Sequence, residues 1–580
     1  MRTAESDRAG GPRRERRWVW AGLSLVLLGG LALRLWGVRQ GLPYVYNIDE
    51  ATHFVPRAVE MFEHGLDPHY FANPPAFTYV LHGLYAIWYG GSAAANRALA
   101  LNPTEVYTLA RVAAGVLGTA ALWLLYAAGS RLFSRPVGLL AAAILAVAFL
   151  PVFYSHLAVN DVPTLAPLTL CLLGSAGILR RGRSRDYVIA GIALGLACAS
   201  KYTAGIVILP MLAAASARWR TEDRHGRRRA LAMLALALVL AFAAFVLANP
   251  YSVIDYSAFH NELVHQSTLS AESQGKLGAP RNGGLAYYLW TLTWGLGWLP
   301  SLAALGGAVL IWRRDPRVGW MLVPATLIFL AFMGLQGRYF GRWLLPIFPI
   351  LSLLGAFFVV EIARAAARRL KQSPRLAGVL TGVLVAALLA QGLIYSVHSG
   401  IVLSRADTRT ITRDWMLANV PEGSRIVAEP ISPDAWAREQ PGSAACHGYR
   451  WCKYDSLLSR ITPSGALTPD VHEVGIEDYE RTLSPQLLSY YTANGYCWVL
   501  TGSTESGRAE ADPRAVPQAA AYYRALAREG ELVFTASPYS RGAGAVPFGF
   551  DWSFDYYPLA YSRPGPTVSL YRLHGGRCGT

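Results

Sequence analysis

A succession of apolar runs of about 18 to 28 residues, each long enough to cross a hydrocarbon core of roughly 30 Å, constrains this chain more than any other feature. Inside lipid every backbone polar group must find its partner within the protein, so only helices and closed barrels can span. The runs are continuous and do not alternate, so they read as helices. The first covers Trp18 to about Trp36, and others follow at about 106–130, 136–153, 162–179, 230–248, 285–312, 318–335, 343–363 and 376–402. Composition agrees, since 53% of the 580 residues are hydrophobic and 16% are charged, a balance unlike that of an ordinary soluble enzyme.

The placement of charge orients these helices. The formal net charge is +16, but Lys and Arg gather in short connections: Arg131/Arg135, Arg180-Arg181-Gly182-Arg183, Arg218 to Arg229, Arg313-Arg314 and Arg364 to Arg375. That is the positive-inside pattern, which puts these loops in the cytoplasm. No basic face with interleaved aromatics is present, so nucleic acid is not a partner. The first run follows Arg13-Arg14-Glu15-Arg16-Arg17 and lacks a small-residue cleavage site, so it reads as an uncleaved anchor behind a basic cytoplasmic segment, residues 1–17. Parity resolves Tyr187 to Ala217. Basic loops flank both its ends, so it must cross an even number of times, as two short helices meeting outside at Ser200-Lys201-Tyr202. The reading is a polytopic α-helical membrane protein of about 11 spans over residues 18–402, N-terminus inside and C-terminus outside.

On this topology the outer side receives a long first loop, about 37–105, and the ionisable residues Asp49, Glu50, Asp161, Lys201, Arg338 and Arg342, with Arg111 about one turn inside the second span. Charges in or beside apolar segments are costly and mark functional candidates. The loop holds amphipathic stretches, Ala51 to Glu63 and Phe77 to Tyr89, separated by Asn73-Pro74-Pro75, suited to lie along the interface and roof a cavity. Residues 403–580 change to mixed polar and aromatic sequence. A helix at Asp407 to Asn419 precedes strand candidates at Ser424 to Glu429, Tyr496 to Leu500, Glu531 to Thr535 and Thr567 to Leu573, with a helix at about Pro517 to Arg528, an extracytoplasmic α/β domain. Four of the six cysteines lie there; Cys446 and Cys452 form a plausible local disulfide, although spacing alone does not settle pairing. The CxxC and HxxxH patterns of a zinc site are not found.

An ordered set of motifs carries a resemblance. It comprises Asn47-Ile48-Asp49-Glu50, Arg111, Asn160-Asp161-Val162-Pro163, Gly195 to Thr203 around Lys201, Asn249-Pro250-Tyr251, Arg338-Tyr339, and Asp407-Thr408-Arg409 leading to Asn419-Val420-Pro421-Glu422-Gly423-Ser424. The set resembles glycosyltransferase family 39, GT-C-fold membrane enzymes similar to protein O-mannosyltransferases and the lipid A aminoarabinose transferase. The inserted luminal domain of the protein mannosyltransferases is not visible between Ala248 and Leu285. The resemblance implies transfer with inversion from a polyprenyl-phosphate sugar to an acceptor hydroxyl, the acceptor being a lipid, glycan or protein.

That demand needs one base and a stabilised leaving phosphate. Asp49 fits the base, with an interfacial helix cap as its structural alternative. Glu50 is either a second catalytic carboxylate or a partner holding the loop. Arg111, Lys201, Arg338 and Arg342 are the candidate phosphate cations, because Arg offers a bidentate fork and Lys a point charge. Arg111 can equally form a buried salt bridge with Asp49 or Asp161, Lys201 can snorkel at a helix end, and Arg338 and Arg342 can anchor headgroups. Asp161 orders the acceptor, pairs with Arg111 or helps hold a divalent cation, the one cofactor the sequence leaves open. His53, His156, His260 and His265 read as outer polar residues. The competing class is a transporter or flippase of lipid-linked sugars, but the paired interrupted halves of many transporters are not found.

Overall fold

The computed structural model describes residues 11–271, 284–370, 373–437, 446–454, 459–461, 467–469, 476–540 and 559–579. The start of the basic N-terminal segment, part of the expected outer loop at 249–284 and residues 371–372 of the last basic connection lie outside the described residues. The chain divides into two compact units. One takes in residues to Val38 and continues from Asp49 through the helices to Gly400; the other holds Arg39–Ile48 and Ile401–Thr580.

In the first unit, α1 (Gly11–Leu35) precedes a π turn at Glu50–Phe54 and the loop helices α2 (Val55–His64), α3 (Ala76–Tyr89) and α4 (Ser92–Leu101). Long apolar helices follow: α5 (Pro103–Leu132), α6 (Arg135–Val147) with its short continuation α7 (Phe149–Tyr154), α8 (Leu165–Arg181) and α9 (Ser184–Ser200). A 3-10 turn at Tyr202–Val207 leads into α10 (Ile208–Thr221), then α11 (Arg224–Ala248), α12 (Tyr251–Ile254) and α13 (Tyr256–Ala271). The unit closes with α14 (Gly284–Leu292), α15 (Trp298–Arg314), α16 (Pro316–Gly334), α17 (Phe348–Arg369) and α18 (Pro374–Leu403). Among the described residues seven helices are long and apolar enough to cross a membrane, judged by length and composition. The chain is a multi-pass membrane protein.

The expected break at Lys201 is present, with α9 and α10 on either side of it. Helix α9 runs longer than the sequence reading because it begins at Ser184, while α10 is shifted along the chain, starting at Ile208 after the 3-10 turn and continuing to Thr221. Helix α4 falls in what reads as loop, since its Ala-rich sequence has high helix propensity but no apolar stripe. Close helix packing depends on small residues. A Cβ on Gly191 or Gly195 would lie 2.3 and 2.1 Å from the carbonyl oxygens of Ala237 and Ala241, so this glycine pair at i, i+4 lets α9 press against α11. Arg34, buried near the end of α1, donates to the carbonyl oxygens of Ala146 at 3.1 Å and Leu145 at 3.2 Å. Those carbonyls end α6 and would otherwise be orphaned in an apolar setting.

The second unit is an α/β fold. Helix α19 (Thr408–Asn419) is capped by Asp407, whose side chain accepts from the Arg409 amide. A five-stranded sheet follows, in the order β2 (Cys452–Tyr454), β1 (Arg425–Ala428), β5 (Tyr496–Gly502), β7 (Val568–Leu573) and β6 (Gly530–Ala536). The first three strands are parallel and the β5, β7, β6 pairings antiparallel; β3 (Ser459–Ile461) and β4 (Leu467–Pro469) form a separate hairpin. Helices α20 (Gln486–Ala493), α21 (Ser503–Ala511) and α22 (Pro517–Glu529) complete it. Side chains alternate across the sheet as strand geometry requires: Val427 and Val499 join Tyr491 and Tyr522 in one core, while Ile426 and Leu500 join Trp436 and Trp451 in the other. Residues Tyr44 and Tyr46 pack on the second core, and the Arg409 guanidinium lies 3.8 Å from the Tyr46 ring centroid. The outer loop expected from residue 37 thus contributes its first part to this unit. Cys446 pairs with Cys452 and Cys497 with Cys578, while Cys171 and Cys198 are free.

At the ends of β1 and β5 the second unit buries carboxyls. Glu429 accepts from the Tyr523 hydroxyl at 2.6 Å and the Gly502 amide at 2.7 Å, and burial with Glu505 nearby holds its carboxyl well above the usual range. Burial likewise pushes Glu505 up from 4.5 to about 7. A carboxyl raised by folding holds its proton more tightly in the native state, so its contribution is complete below the unfolded value and is lost as pH rises through about 7. Glu505→Gln should therefore stabilise this unit at pH 8.5 by about 1–3 kcal/mol and lose that advantage at pH 5. Thermal unfolding of the full-length protein at both pH values checks this; an advantage that grows towards pH 5 would refute it.

Candidate active site

The site is assembled where the loop after α1, the turn between α7 and α8, the α9 terminus and the turn before α17 converge. Asp49 stands ahead of the π turn in the N-cap position but makes no capping hydrogen bond. Its Oδ2 instead accepts from the Arg342 guanidinium at 2.7 Å. The same guanidinium has its Nε 3.8 Å from Asp161 Oδ2, and Asp161 Oδ1 is paired with the Lys201 ammonium. Four charges thus alternate along a chain, Asp49, Arg342, Asp161, Lys201. Asp49 is the most accessible of the four, its side chain 28% exposed, against 4% for Asp161 and 10% for Lys201. Asp49 is the carboxylate that an incoming molecule can reach.

Sequence and local structure explain the placement. The β-region backbone of Lys201 ends α9 and turns the chain into the 3-10 segment. The Asn160 side chain donates to the Ser200 carbonyl oxygen at 2.7 Å, locking the Asp161 turn to the Lys201 turn. Arg342 opens the 3-10 turn Gly341–Ile347, its guanidinium 4.7 Å from the Phe340 ring centroid and 5.7 Å from that of Tyr154.

Glu50 and Arg111 form a separate pair. Both side chains are fully buried, and the guanidinium donates to both carboxylate oxygens at 2.7 Å. Glu50 Oε1 also accepts from the Ala158 amide at 2.8 Å, and Arg111 donates to the Val38 carbonyl oxygen at 2.9 Å. Arg111 was expected at the phosphate or beside Asp49 or Asp161; its bidentate fork is taken up by Glu50 instead. The reason is geometric. One carboxylate ties the loop after α1 to α5 and to the turn at Ala158, three residues before Asp161, and so holds the adjacent Asp49 beside Asp161. Glu50 occupies the position of a loop anchor, without the access a reacting carboxylate needs.

Arg338 is positioned through its backbone amide, which donates to the Ser270 carbonyl oxygen at 3.1 Å. His156 is buried, its ring nitrogens facing the carbonyl oxygens of Trp36 at 2.9 Å and Phe153 at 3.2 Å. His53 stacks on Tyr70 with ring centroids 4.4 Å apart, and burial holds its imidazole below the usual range. Asp161 faces Lys201 and Arg342, a cationic surround that does not fit a divalent ion, and no cluster of three or more His, Cys, Asp or Glu suited to a metal occurs among the described residues. Sequence reasoning missed Glu262 on α13, whose carboxylate accepts from the amides of Phe71 at 2.5 Å and Ala72 at 2.9 Å. The Tyr202 hydroxyl donates to the Phe71 carbonyl oxygen at 2.9 Å, so the loop between α2 and α3 is pinned next to the Lys201 turn. An acid in the segment after Asn249-Pro250-Tyr251 was the available signal.

The helical bundle has the GT-C fold. Residues 102–248 match the family model for dolichyl-phosphate-mannose-protein mannosyltransferase. Among solved structures, the apo oligosaccharyltransferase of Archaeoglobus fulgidus aligns with TM-score 0.51 at 12% identity, covering 90% of this chain and 73% of that one. The same organism's AglB, in complex with an inhibitory peptide and a dolichol-phosphate, gives 0.50 at 14% identity, covering 93% and 75%. ArnT from Cupriavidus metallidurans, bound to undecaprenyl phosphate, gives 0.49 at 13% identity, covering 95% and 98%. No curated protein matches the chain. These likenesses give the chain the GT-C fold, with α5 to α11 in the stretch matched by the mannosyltransferase family model.

Proposed function

We propose that this enzyme transfers a sugar from a polyprenyl-phosphate donor to an acceptor hydroxyl on the outer face of the membrane, with inversion, and that Asp49 is the general base. The observation that carries this reading is the alternating chain of charges, with an accessible carboxylate at one end and a buried ammonium at the other. The dolichol-phosphate held by AglB and the description of the matching family model support a lipid-phosphate donor.

In the reaction Asp49 takes the acceptor O–H proton as that oxygen attacks the anomeric carbon from the face opposite the phosphate. The bond between anomeric carbon and phosphate oxygen breaks, and the polyprenyl phosphate leaves with the electron pair. Lys201 and Arg342 stabilise the developing negative charge, preorganised by Asp161 and by Asp49 respectively. Arg338 is a further candidate for the phosphate.

The test is a panel of radiolabelled polyprenyl-phosphate sugars given to the purified protein in membranes with candidate acceptors, followed by analysis of the product's anomeric configuration. Transfer with retained configuration would overturn the one-step mechanism. Removing the Lys201 charge, as in Lys201→Met, is expected to raise the donor KM about 10–100-fold, the worth of one charge-assisted hydrogen bond. An unchanged KM with unchanged turnover would remove Lys201 from the donor site.

A further inference from the structure

A second polar site lies at the far end of α8 and α9, one helix length of about 25 Å from the Lys201 turn. Here the connection between α8 and α9 meets the one between α10 and α11, and Arg181, Arg183, Tyr187, Arg218, Glu222 and Arg229 line a cavity of about 220 Å³. That is roughly seven times the ~30 Å³ share of a water molecule, room for a phosphate group. Arginines at this end satisfy the positive-inside pattern merely by being solvated. Three observations go further.

The charge is unbalanced. Neighbouring Arg131 and Arg180 are neutralised by Asp186 at 3.2 Å and Asp315 at 2.8 Å. In the cavity Glu222 is paired with Arg218, while Arg181 and Arg183 have no carboxylate partner among the described residues. Next, the backbone makes room. Gly182 ends α8 with φ +63°, and a Cβ there would lie 2.7 Å from Arg218 Nε, so the turn has been shaped around that guanidinium. Last, Tyr187 lines the cavity, is 1% exposed, and its hydroxyl has no hydrogen-bond partner. A buried hydroxyl without a partner is costly, and a ligand oxygen would remove that cost.

We propose that this cavity binds a phosphate-ester anion, from an anionic phospholipid headgroup or as free phosphate, separate from the glycosyl-transfer site. Arginine forks grip the phosphate oxygens and the Tyr187 hydroxyl donates to one of them. Basic pockets between helices recognise headgroups in this way.

The experiment is native mass spectrometry of the full-length protein in neutral detergent, titrated with dioleoyl phosphatidylglycerol, dioleoyl phosphatidylcholine or inorganic phosphate. One phosphatidylglycerol should be retained with about tenfold preference over phosphatidylcholine, and Arg218→Gln combined with Arg229→Gln should abolish that preference. Arg181→Gln with Arg183→Gln, on exposed turn positions, gives the same reading if the first pair perturbs folding, and Tyr187→Phe should weaken retention severalfold while the melting temperature holds. Displacement of the lipid by millimolar phosphate, or phosphate binding alone, assigns the site to the free anion; retention that phosphate does not disturb assigns it to the headgroup. Equal retention of both lipids with no phosphate binding, or a preference surviving in both arginine variants, would overturn the proposal.

Discussion

Asp49→Asn should lower sugar transfer by about 10²- to 10⁴-fold while the donor still binds, because the amide keeps the shape of the side chain but cannot take the acceptor's proton. The substitution also leaves Arg342 without its 2.7 Å carboxylate partner, so its cation becomes freer to meet a phosphate, and donor affinity should hold or improve. Single-turnover transfer and equilibrium binding of the same lipid-linked sugar separate the two effects. Equal turnover in variant and parent would end the case for Asp49 as base. A parallel loss of binding and turnover would make it a donor-site residue instead.

Breaking the adjacent pair should have a different signature. Arg111→Leu leaves the Glu50 carboxylate fully enclosed with only the Ala158 amide among the contacts described above, and Glu50→Gln leaves a buried guanidinium without its counter-charge. Removing one partner of a buried ion pair costs about 3–5 kcal/mol, whereas replacing both with neutral groups of similar volume is often nearly neutral. Each single variant should therefore melt far below the parent in detergent, and Glu50→Gln with Arg111→Met should recover much of the loss, the non-additivity expected of residues in contact. Transfer activity should follow the folded fraction. A Glu50→Gln protein that melts like the parent yet fails to transfer would return Glu50 to the catalytic set.

These contrasting expectations for two consecutive acidic residues mark the limit of what can be read along the chain. Asp49 and Glu50 look alike in sequence; one meets Arg342, 293 positions away, and the other meets Arg111, 61 positions away. Likewise the sequence offers Arg111 as an ion-pair partner for Asp161, whereas in the structure Asp161 meets Lys201, the two turns being held together by the Asn160 side chain on the Ser200 carbonyl oxygen. Elements were far more legible. The break between α9 and α10 follows from the parity of basic loops, and the strands β1, β5, β6 and β7 follow from apolar runs bounded by turn residues. Where local pattern was silent, as in the Ala-rich α4 or the acidic Glu262 on α13, the sequence reading left loop.

By itself the sequence determined that this is a multi-pass helical membrane protein with an appended α/β unit, and which ionisable residues are expected on one side of the membrane. Those properties arise from hydrophobic length and the siting of Arg and Lys, both local and additive along the chain. Only the tertiary structure decided that Glu50 and Arg111 anchor the loop while Asp49, Arg342, Asp161 and Lys201 form one chain of charges. Ion pairing at short range falls off over a few ångströms and depends on desolvation, and helix packing alone sets both.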